Sequence, residues 1–121
     1  MTTALQASLA RLLDSPGVTG VALVDAVTGL TYGEAGDAGA VGDGAADAAL
    51  AALIAERLGQ AGAEGELESV ITTSTRRHQV LLAVARPVGD PLLLAAGLDR
   101  ERANLALIAR SMESLAAEVL G

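Results

Sequence analysis

The chain has 121 residues, 51% of them hydrophobic and 19% charged, which excludes a disordered or low-complexity segment and predicts a single domain over residues 1–121. Its 15 acidic residues outnumber its 8 basic ones and give a net charge of −7, so the basic face that binds nucleic acid or an anionic membrane is not expected. The sequence holds no cysteine, which excludes disulfides, thiolate metal sites and a cysteine nucleophile.

Hydropathy along the chain favours a cytoplasmic protein. The N-terminal residues lack a basic leader followed by an apolar run, so a signal peptide is not expected. Apolar runs such as Leu92–Leu98 are far shorter than the roughly 20 residues that a membrane helix needs. Because Tyr32 is the only aromatic residue, the core is expected to consist of alanine, leucine and valine.

The first third of the chain predicts a helix and a hairpin. Leucines recur at helical spacing over residues 3–14. Strands are expected at Gly17–Asp25 and Leu30–Ala35, joined by a turn that ends at Gly29. The glycine-rich segment Gly33–Gly44 is expected to be a loose connection.

An alanine-rich helix is predicted next, capped by Asp43 or Asp47 and running to about Leu58. One side carries large apolar residues that are expected to pack on the sheet: Leu50, Leu53, Ile54 and Leu58. The opposite side carries only small residues: Ala48, Ala51, Ala52, Ala55 and Gly59.

The rest of the chain predicts three strands and a helix. The strands are expected at Glu66–Thr75, Gln79–Arg86 and Leu92–Leu98, and the last two are apolar enough to be covered on both faces. Asp99 is expected to cap a helix that extends to Leu120. The order α-β-β-α-β-β-β-α with hairpin connections predicts an α/β fold, a three-layer α/β/α sandwich around a five-stranded antiparallel sheet.

The small-residue side of the central helix predicts a symmetric homodimer. If the leucines cover the sheet, the alanines are left exposed, and the same helix of a second copy can approach them closely. The strand Glu66–Thr75 resembles an unprotected edge that its two-fold mate can cover. The residues expected at this interface are Ala48, Ala51, Ala52, Ala55, Gly59, Val70 and Thr72.

Sequence signatures of catalysis and cofactor binding are absent. The chain has no lysine, so the phosphate-binding loop GxxxxGK[ST] cannot occur, and its glycines lack the dinucleotide-binding spacing. The only histidine, His78, follows two arginines and is expected at a strand end rather than as a general base. We therefore predict a protein that is not an enzyme and that takes no cofactor or metal.

Arg76 and Arg77 form the densest positive patch of the sequence, and they are expected at the tip of a hairpin. Three roles stay open for them. They can belong to a solvated turn, they can contact acidic residues of a partner, or they can supply an arginine to a partner's phosphoryl-transfer site.

Three stretches together resemble the Roadblock / dynein light-chain family. They are the glycine-flanked hairpin Gly17–Leu30, the segment Ala85–Leu115 with Asn104 and Leu105 at the entry of the last helix, and, more weakly, the central helix followed by LESVITT at Leu67–Thr73. The resemblance covers nearly the whole chain, and the family's profilin-like sandwich has the same order of elements as the one predicted above.

The resemblance implies a non-enzymatic dimer that acts through its surfaces. Bacterial and archaeal members of the family are commonly associated with small Ras-like GTPases, as regulators or scaffolds. Two functions therefore stay open for this chain. The first is a homodimeric module that binds and regulates a small Ras-like GTPase. The alternative is a structural scaffold or a sensor-associated dimerisation domain with no GTPase partner.

Overall fold

The architecture comes from a computed structural model that describes residues 3–63 and 65–120. The elements follow the predicted order α-β-β-α-β-β-β-α, with one added turn of 3₁₀ helix at Ala38–Ala40. In chain order they are α1 (Ala4–Leu13), β1 (Val18–Asp25), β2 (Thr31–Gly36), α2 (Gly44–Gln60), β3 (Ser69–Thr73), β4 (Arg77–Val84), β5 (Leu92–Asp99) and α3 (Leu105–Leu120). Strand β3 is shorter than predicted, and β4 begins two residues earlier.

The five strands form one antiparallel sheet in the order β2-β1-β5-β4-β3. The central strands β1 and β5 are almost continuously buried, as expected for strands covered on both faces. The edge strands β2 and β3 are largely exposed. The predicted sheet is therefore confirmed, and β3 is one of its open edges.

Helices cover both faces of the sheet, which confirms the three-layer sandwich. Helices α1 and α3 lie together on one face, where Leu9, Leu94 and Met112 are fully buried. Helix α2 lies on the other face, over a smaller cluster that includes Leu81 and Leu93. The two clusters make this a sheet with a core on each side.

Each helix begins at a side-chain cap. The Gln6 backbone N–H donates to Thr3 Oγ1 (3.0 Å) at the start of α1, and the Ala45 N–H donates to Asp43 Oδ1 (3.2 Å) at the start of α2. Helix α3 begins five residues later than predicted, because Asn104 caps it and not Asp99: the Leu107 N–H donates to Asn104 Oδ1 (3.1 Å).

The prediction that Asp99 caps the last helix is wrong because β5 extends to this residue. Asp99 Oδ1 instead accepts the Glu101 backbone N–H (3.0 Å), and its carbonyl accepts the Ala103 N–H (2.9 Å). Asp99 therefore closes a turn between the sheet and α3. Asn104 and Leu105, which carry part of the family resemblance, stand where the helix begins.

Residues 37–41, here called the strap, lie across the α2 face of the sheet and are not a loose connection. The strap crosses Gly20 and Gly97, which face each other in the β1–β5 register. A Cβ at Gly97 would overlap the carbonyl oxygen of Ala40, so the strap can approach the sheet only because no side chain lies beneath it. Val41 at the end of the strap is 2% exposed. The expectation for this segment is therefore wrong.

Candidate interaction surface

Helix α2 faces the sheet with Ala48 and Ala51 and not with Leu53 and Leu58, which corrects part of the prediction, while Leu50 packs on the α2-side cluster as expected. Ala48 and Ala51 are 5% and 7% exposed, whereas Leu53 and Leu58 are 48% and 41% exposed. The physical reason is that α2 is apolar on more than one side, and alanine allows its backbone to approach the sheet closely. Ala48 and Ala51 therefore belong to the core of their own chain, and Leu53 and Leu58 lie on the outer surface.

A groove of about 770 Å³ runs beside α2. Two other predicted interface residues, Ala52 and Ala55, are exposed and line it from the helix side. Leu67 and Ala83 line it from the sheet side. The fifth small residue, Gly59, is exposed near the end of the helix. This side of α2 thus offers apolar atoms to a partner, and Glu66, Glu68 and Arg86 add charged groups to the lining of the groove.

Strand β3 continues this apolar surface at the edge of the sheet. Val70 is half-buried and packs with the α2-side cluster, while Thr72 is exposed. Ile71, the residue between them, points to the opposite face of the sheet and is 47% exposed. Ile71, Leu53 and Leu58 were not predicted as interface residues, although they are large apolar residues at positions next to the predicted ones.

Arg76 and Arg77 lie at the β3–β4 turn, as expected for a hairpin tip. Arg76 belongs to the turn itself, and Arg77 is the first residue of β4. The turn is braced by Arg100, whose N–H donates to the Arg76 carbonyl (3.0 Å) and whose Nη1 donates to the Ser74 carbonyl (3.1 Å).

This end of the sheet carries more charge than the sequence analysis foresaw. Arg76 and Arg77 line a cleft of about 440 Å³ together with Asp37, Asp99 and Glu101. The end of β5 and the turn after it bring Asp99, Arg100 and Glu101 beside the hairpin, and the strap brings Asp37, a proximity that only the strand order reveals. The patch is therefore of mixed sign rather than purely basic.

No model of a known protein family matches the sequence, and no curated protein matches it. Solved structures do match. "Myxococcus xanthus MglB" superposes with a TM-score of 0.82 at 19% identity, over 98% of this chain and 93% of that chain. A Roadblock/LC7 domain from Streptomyces avermitilis gives a TM-score of 0.75 at 21% identity, over 97% of this chain and 95% of that chain.

The chain has the Roadblock/LC7 fold. A third structure, the gliding protein MglB of Thermus thermophilus, has a TM-score of 0.74 at 16% identity and covers 96% of this chain and 88% of that chain. In this Roadblock/LC7 fold, exposed apolar side chains lie on α2, at Leu53 and Leu58, and on the open edge strand β3, at Ile71.

The histidine lies within the sheet of the Roadblock/LC7 fold and not in a cleft. His78 is half-buried on β4, opposite Thr73, and its Nδ1 is 2.8 Å from Thr73 Oγ1. This places it beside a strand end, as expected from the sequence.

Among residues 3–63 and 65–120 there is no group of three or more histidine, cysteine or acidic side chains arranged to hold a metal ion. In the same part of the chain, no helix has the length and apolarity needed to cross a membrane.

A buried carboxylate lies near the start of α2, where sequence reasoning considered it only as a cap. Asp47 is 7% exposed, and burial raises its pKa, although a hydrogen bond from Gln79 Nε2 (3.2 Å) opposes this and the nearby charge of Asp43 adds to it. The same Gln79 amide donates to the Val41 carbonyl (2.9 Å). Gln79 thus joins the strap to α2.

Asp47→Asn is expected to raise the melting temperature at pH 7. A carboxyl group whose pKa is higher in the folded state binds its proton more tightly there, so stability is lost as the pH rises from the unfolded-state pKa through the raised folded-state pKa. An amide keeps the acceptor for Gln79 without the charge. The gain should shrink as the pH falls toward 4 and Asp47 becomes protonated. Thermal melts from pH 3.5 to 8, with the exposed Asp90→Asn as control, test this; a gain independent of pH would contradict it.

Proposed function

We propose that this chain is a non-enzymatic, homodimeric regulatory module of the Roadblock type that binds a small Ras-like GTPase. The observation that carries the proposal is the likeness to "Myxococcus xanthus MglB" over 98% of the chain. The family resemblance of the sequence links this fold to small GTPases, and the exposed α2–β3 surface supplies apolar area for assembly.

The surface we propose for the dimer differs from the sequence prediction in its composition. Ala48 and Ala51 are left out because their own chain buries them. The remaining predicted residues are joined by the exposed large apolar ones of α2 and β3. The proposed interface consists of Ala52, Leu53, Ala55, Leu58, Gly59, Val70, Ile71 and Thr72.

At micromolar concentration, sedimentation equilibrium should give about twice the chain mass of 12.0 kDa. Ala52→Arg should raise the dimer dissociation constant by roughly 100-fold or more, since it would bury an unpaired charge at the interface. Ala106→Arg is the matched control, because Ala106 is also an exposed alanine within a helix, on α3. A monomeric wild type would contradict the proposed dimer.

A protein without a catalytic group can still regulate a GTPase. A partner that binds one arrangement of the switch segments more tightly shifts the GTPase toward that arrangement. The extent of the shift is set by the difference between its two affinities. The proposed contact is the helical face that the two α2 helices share in the dimer, beside the residues that the dimer itself buries, and Arg76 and Arg77 at the β3–β4 turn add electrostatic steering at its margin.

Replacing both Arg76 and Arg77 by alanine should slow association with the GTPase roughly tenfold and weaken the salt dependence of that rate. Each Ras-like GTPase of the source organism, loaded with GDP or a non-hydrolysable GTP analogue, is injected over the immobilised dimer, with Arg110→Ala as control. Hydrolysis rates should follow occupancy alone. A double variant that binds normally but loses stimulation about a thousandfold would make one arginine catalytic. If no GTPase binds, the scaffold function is favoured.

A further inference from the structure

A groove of about 360 Å³ lies between helices α1 and α3, on the face of the sheet opposite α2. Its charged lining consists of Arg11, Arg110 and Glu118. The hydroxyl groups of four serines line the groove beside these charges, at Ser8, Ser15, Ser111 and Ser114. Hydrogen-bond donors and positive charge therefore prevail in this groove, although the whole chain carries a net charge of −7.

The guanidinium of Arg11 is held by groups from both helices. Ser8 lies one turn earlier in α1 and is only 4% exposed, and its Oγ accepts a hydrogen bond from Arg11 Nη2 (3.1 Å). The same nitrogen donates to Glu118 Oε1 (2.7 Å), near the end of α3. Arg11 is thus oriented by a buried hydroxyl, and it already binds an anionic oxygen.

A competing anion can open the ion pair between Arg11 and Glu118. The two side chains are 64% and 57% exposed, so water screens their attraction and the pair contributes little to stability. Both contacts of Arg11 use Nη2, so the donors on Nη1 and Nε can bind a further group. Arg110 lines the same groove about two helical turns before Glu118, and it forms no ion pair with the residues in the ranges 3–63 and 65–120.

These donors fit a phosphoryl group better than a carboxylate. A phosphate monoester at neutral pH presents three terminal oxygens and a charge close to −2. The planar fork of an arginine binds two such oxygens at once, and this groove contains two arginines. The serine hydroxyls supply donors for the oxygen positions that remain. A carboxylate has two oxygens and a single charge, so it satisfies fewer of these groups.

We propose that the groove between α1 and α3 binds the phosphoryl group of a small molecule, a phosphate monoester or free phosphate. Arg11 and Arg110 anchor the phosphoryl group, and Glu118 is the carboxylate that it displaces from Arg11. The site is independent of the proposed dimer and of the GTPase contact, because none of its lining residues belongs to α2 or β3. A bound ligand joins α1 to α3 and should therefore stabilise the folded chain.

Isothermal titration calorimetry tests the site, with inorganic phosphate, glycerol 3-phosphate and acetate as probes at about pH 7.5, where both phosphates are mostly dianions. The two phosphates should bind saturably with one site per chain. Tighter binding of glycerol 3-phosphate supports a phosphorylated metabolite, and tighter binding of inorganic phosphate supports free phosphate. Acetate bound as tightly as phosphate would overturn the assignment to a phosphoryl group. No binding of either phosphate at about 10 mM would overturn the site itself.

Arg11→Gln and Arg110→Gln should each raise the dissociation constant of glycerol 3-phosphate about tenfold or more, since each removes charge-assisted hydrogen bonds. Arg76→Gln is the matched control, because it makes the same change of charge in the other cleft lined by arginines. That cleft also contains three acidic residues, which repel a dianion. Equal losses in all three variants, or a loss in Arg76→Gln alone, would overturn the proposal.

Glu118→Gln should lower the same dissociation constant about threefold to tenfold, because the ligand no longer competes with a carboxylate for Arg11. A gain of affinity cannot result from misfolding, so this variant keeps the test valid even if an arginine variant is unstable. Glu113→Gln is its control, since Glu113 is exposed on α3 but lies outside the groove. Equal affinities of Glu118→Gln and Glu113→Gln would contradict the displacement of Glu118.

Hydrogen exchange with and without glycerol 3-phosphate locates the ligand on the chain. Amides of α1 and α3 should exchange more slowly when the ligand is bound, and amides of α2 should not change. Slower exchange confined to the β3–β4 turn would place the ligand at Arg76 and Arg77 and overturn the proposal. The proposed dimer and GTPase contact would be unaffected by that result.

Discussion

Leu94→Ala is expected to lower the free energy of unfolding by about 3 to 5 kcal/mol. Leu94 is 0% exposed at the middle of the central strand β5, where it faces Leu23 of β1 and Leu82 of β4 in register. It belongs to the cluster that α1 and α3 cover. The truncation removes buried methyl groups and leaves a cavity. The cavity cannot close because β5 is hydrogen-bonded to a strand on each side.

Urea unfolding followed by far-UV circular dichroism measures this loss, at one protein concentration because dimerisation would add to the apparent stability. Leu107→Ala makes the same chemical change on α3, where the leucine is 58% exposed. Its effect should stay below about 1 kcal/mol. Similar losses at the two sites would show that Leu94 is not enclosed as described.

Gly97→Ala should destabilise the protein by about 3 kcal/mol although it adds a single methyl group. That methyl group would overlap the backbone of the strap at Ala40, and no flexible side chain is present there to move aside. Either the strap or β5 must shift, and the hydrogen bond between Gln79 and the Val41 carbonyl would be strained. In a strand with free space above the glycine, replacing glycine by alanine would raise the free energy of unfolding. A decrease in the free energy of unfolding would therefore indicate that the strap contacts Gly97.

Gly59→Ala is the matched control for that substitution. A Cβ at Gly59 meets nothing within 4 Å, and the residue lies in the last turn of α2. Alanine is the better helix former, so this variant should gain about 0.5 kcal/mol or more. Chemical denaturation measures the free energy of unfolding of both variants. A Gly97→Ala protein as stable as the wild type would mean that the strap does not rest on the sheet.

The order of elements and the layers could be read from the sequence because hydrophobic periodicity reports them directly. The long apolar strands, such as Leu92–Asp99, required covering on both faces. The orientation of α2 could not be read in the same way. Its leucine side and its alanine side are both apolar, and periodicity does not tell which one a sheet accepts. Which side of α2 faces the sheet depends on how closely the helix must approach it. That distance is set by the sheet residues beneath the helix.

The strap and the charged turn were missed for a related reason. The glycines in the segment before α2 suggested a flexible connection. The glycines that let the strap approach the sheet are instead Gly20 and Gly97, which lie 77 positions apart in the sequence and are paired only in the folded sheet. Likewise, Arg76 and Arg77 were recognised as a patch, whereas their neighbour Arg100 reaches them through the β4–β5 pairing. Contacts of this kind depend on the strand order and leave no local pattern.

Both core clusters consist of aliphatic residues and methionine, and this limits the optical signals of folding. The one aromatic side chain, Tyr32, is 46% exposed on the edge strand β2, with the Arg86 guanidinium 5.9 Å from its ring centroid. Neither intrinsic fluorescence nor near-ultraviolet dichroism can therefore report on the packing around Leu94. Conversely, the fluorescence of a tryptophan introduced at one chosen position would not overlap with that of any native tryptophan. The unfolding of each layer of the sandwich can therefore be measured separately.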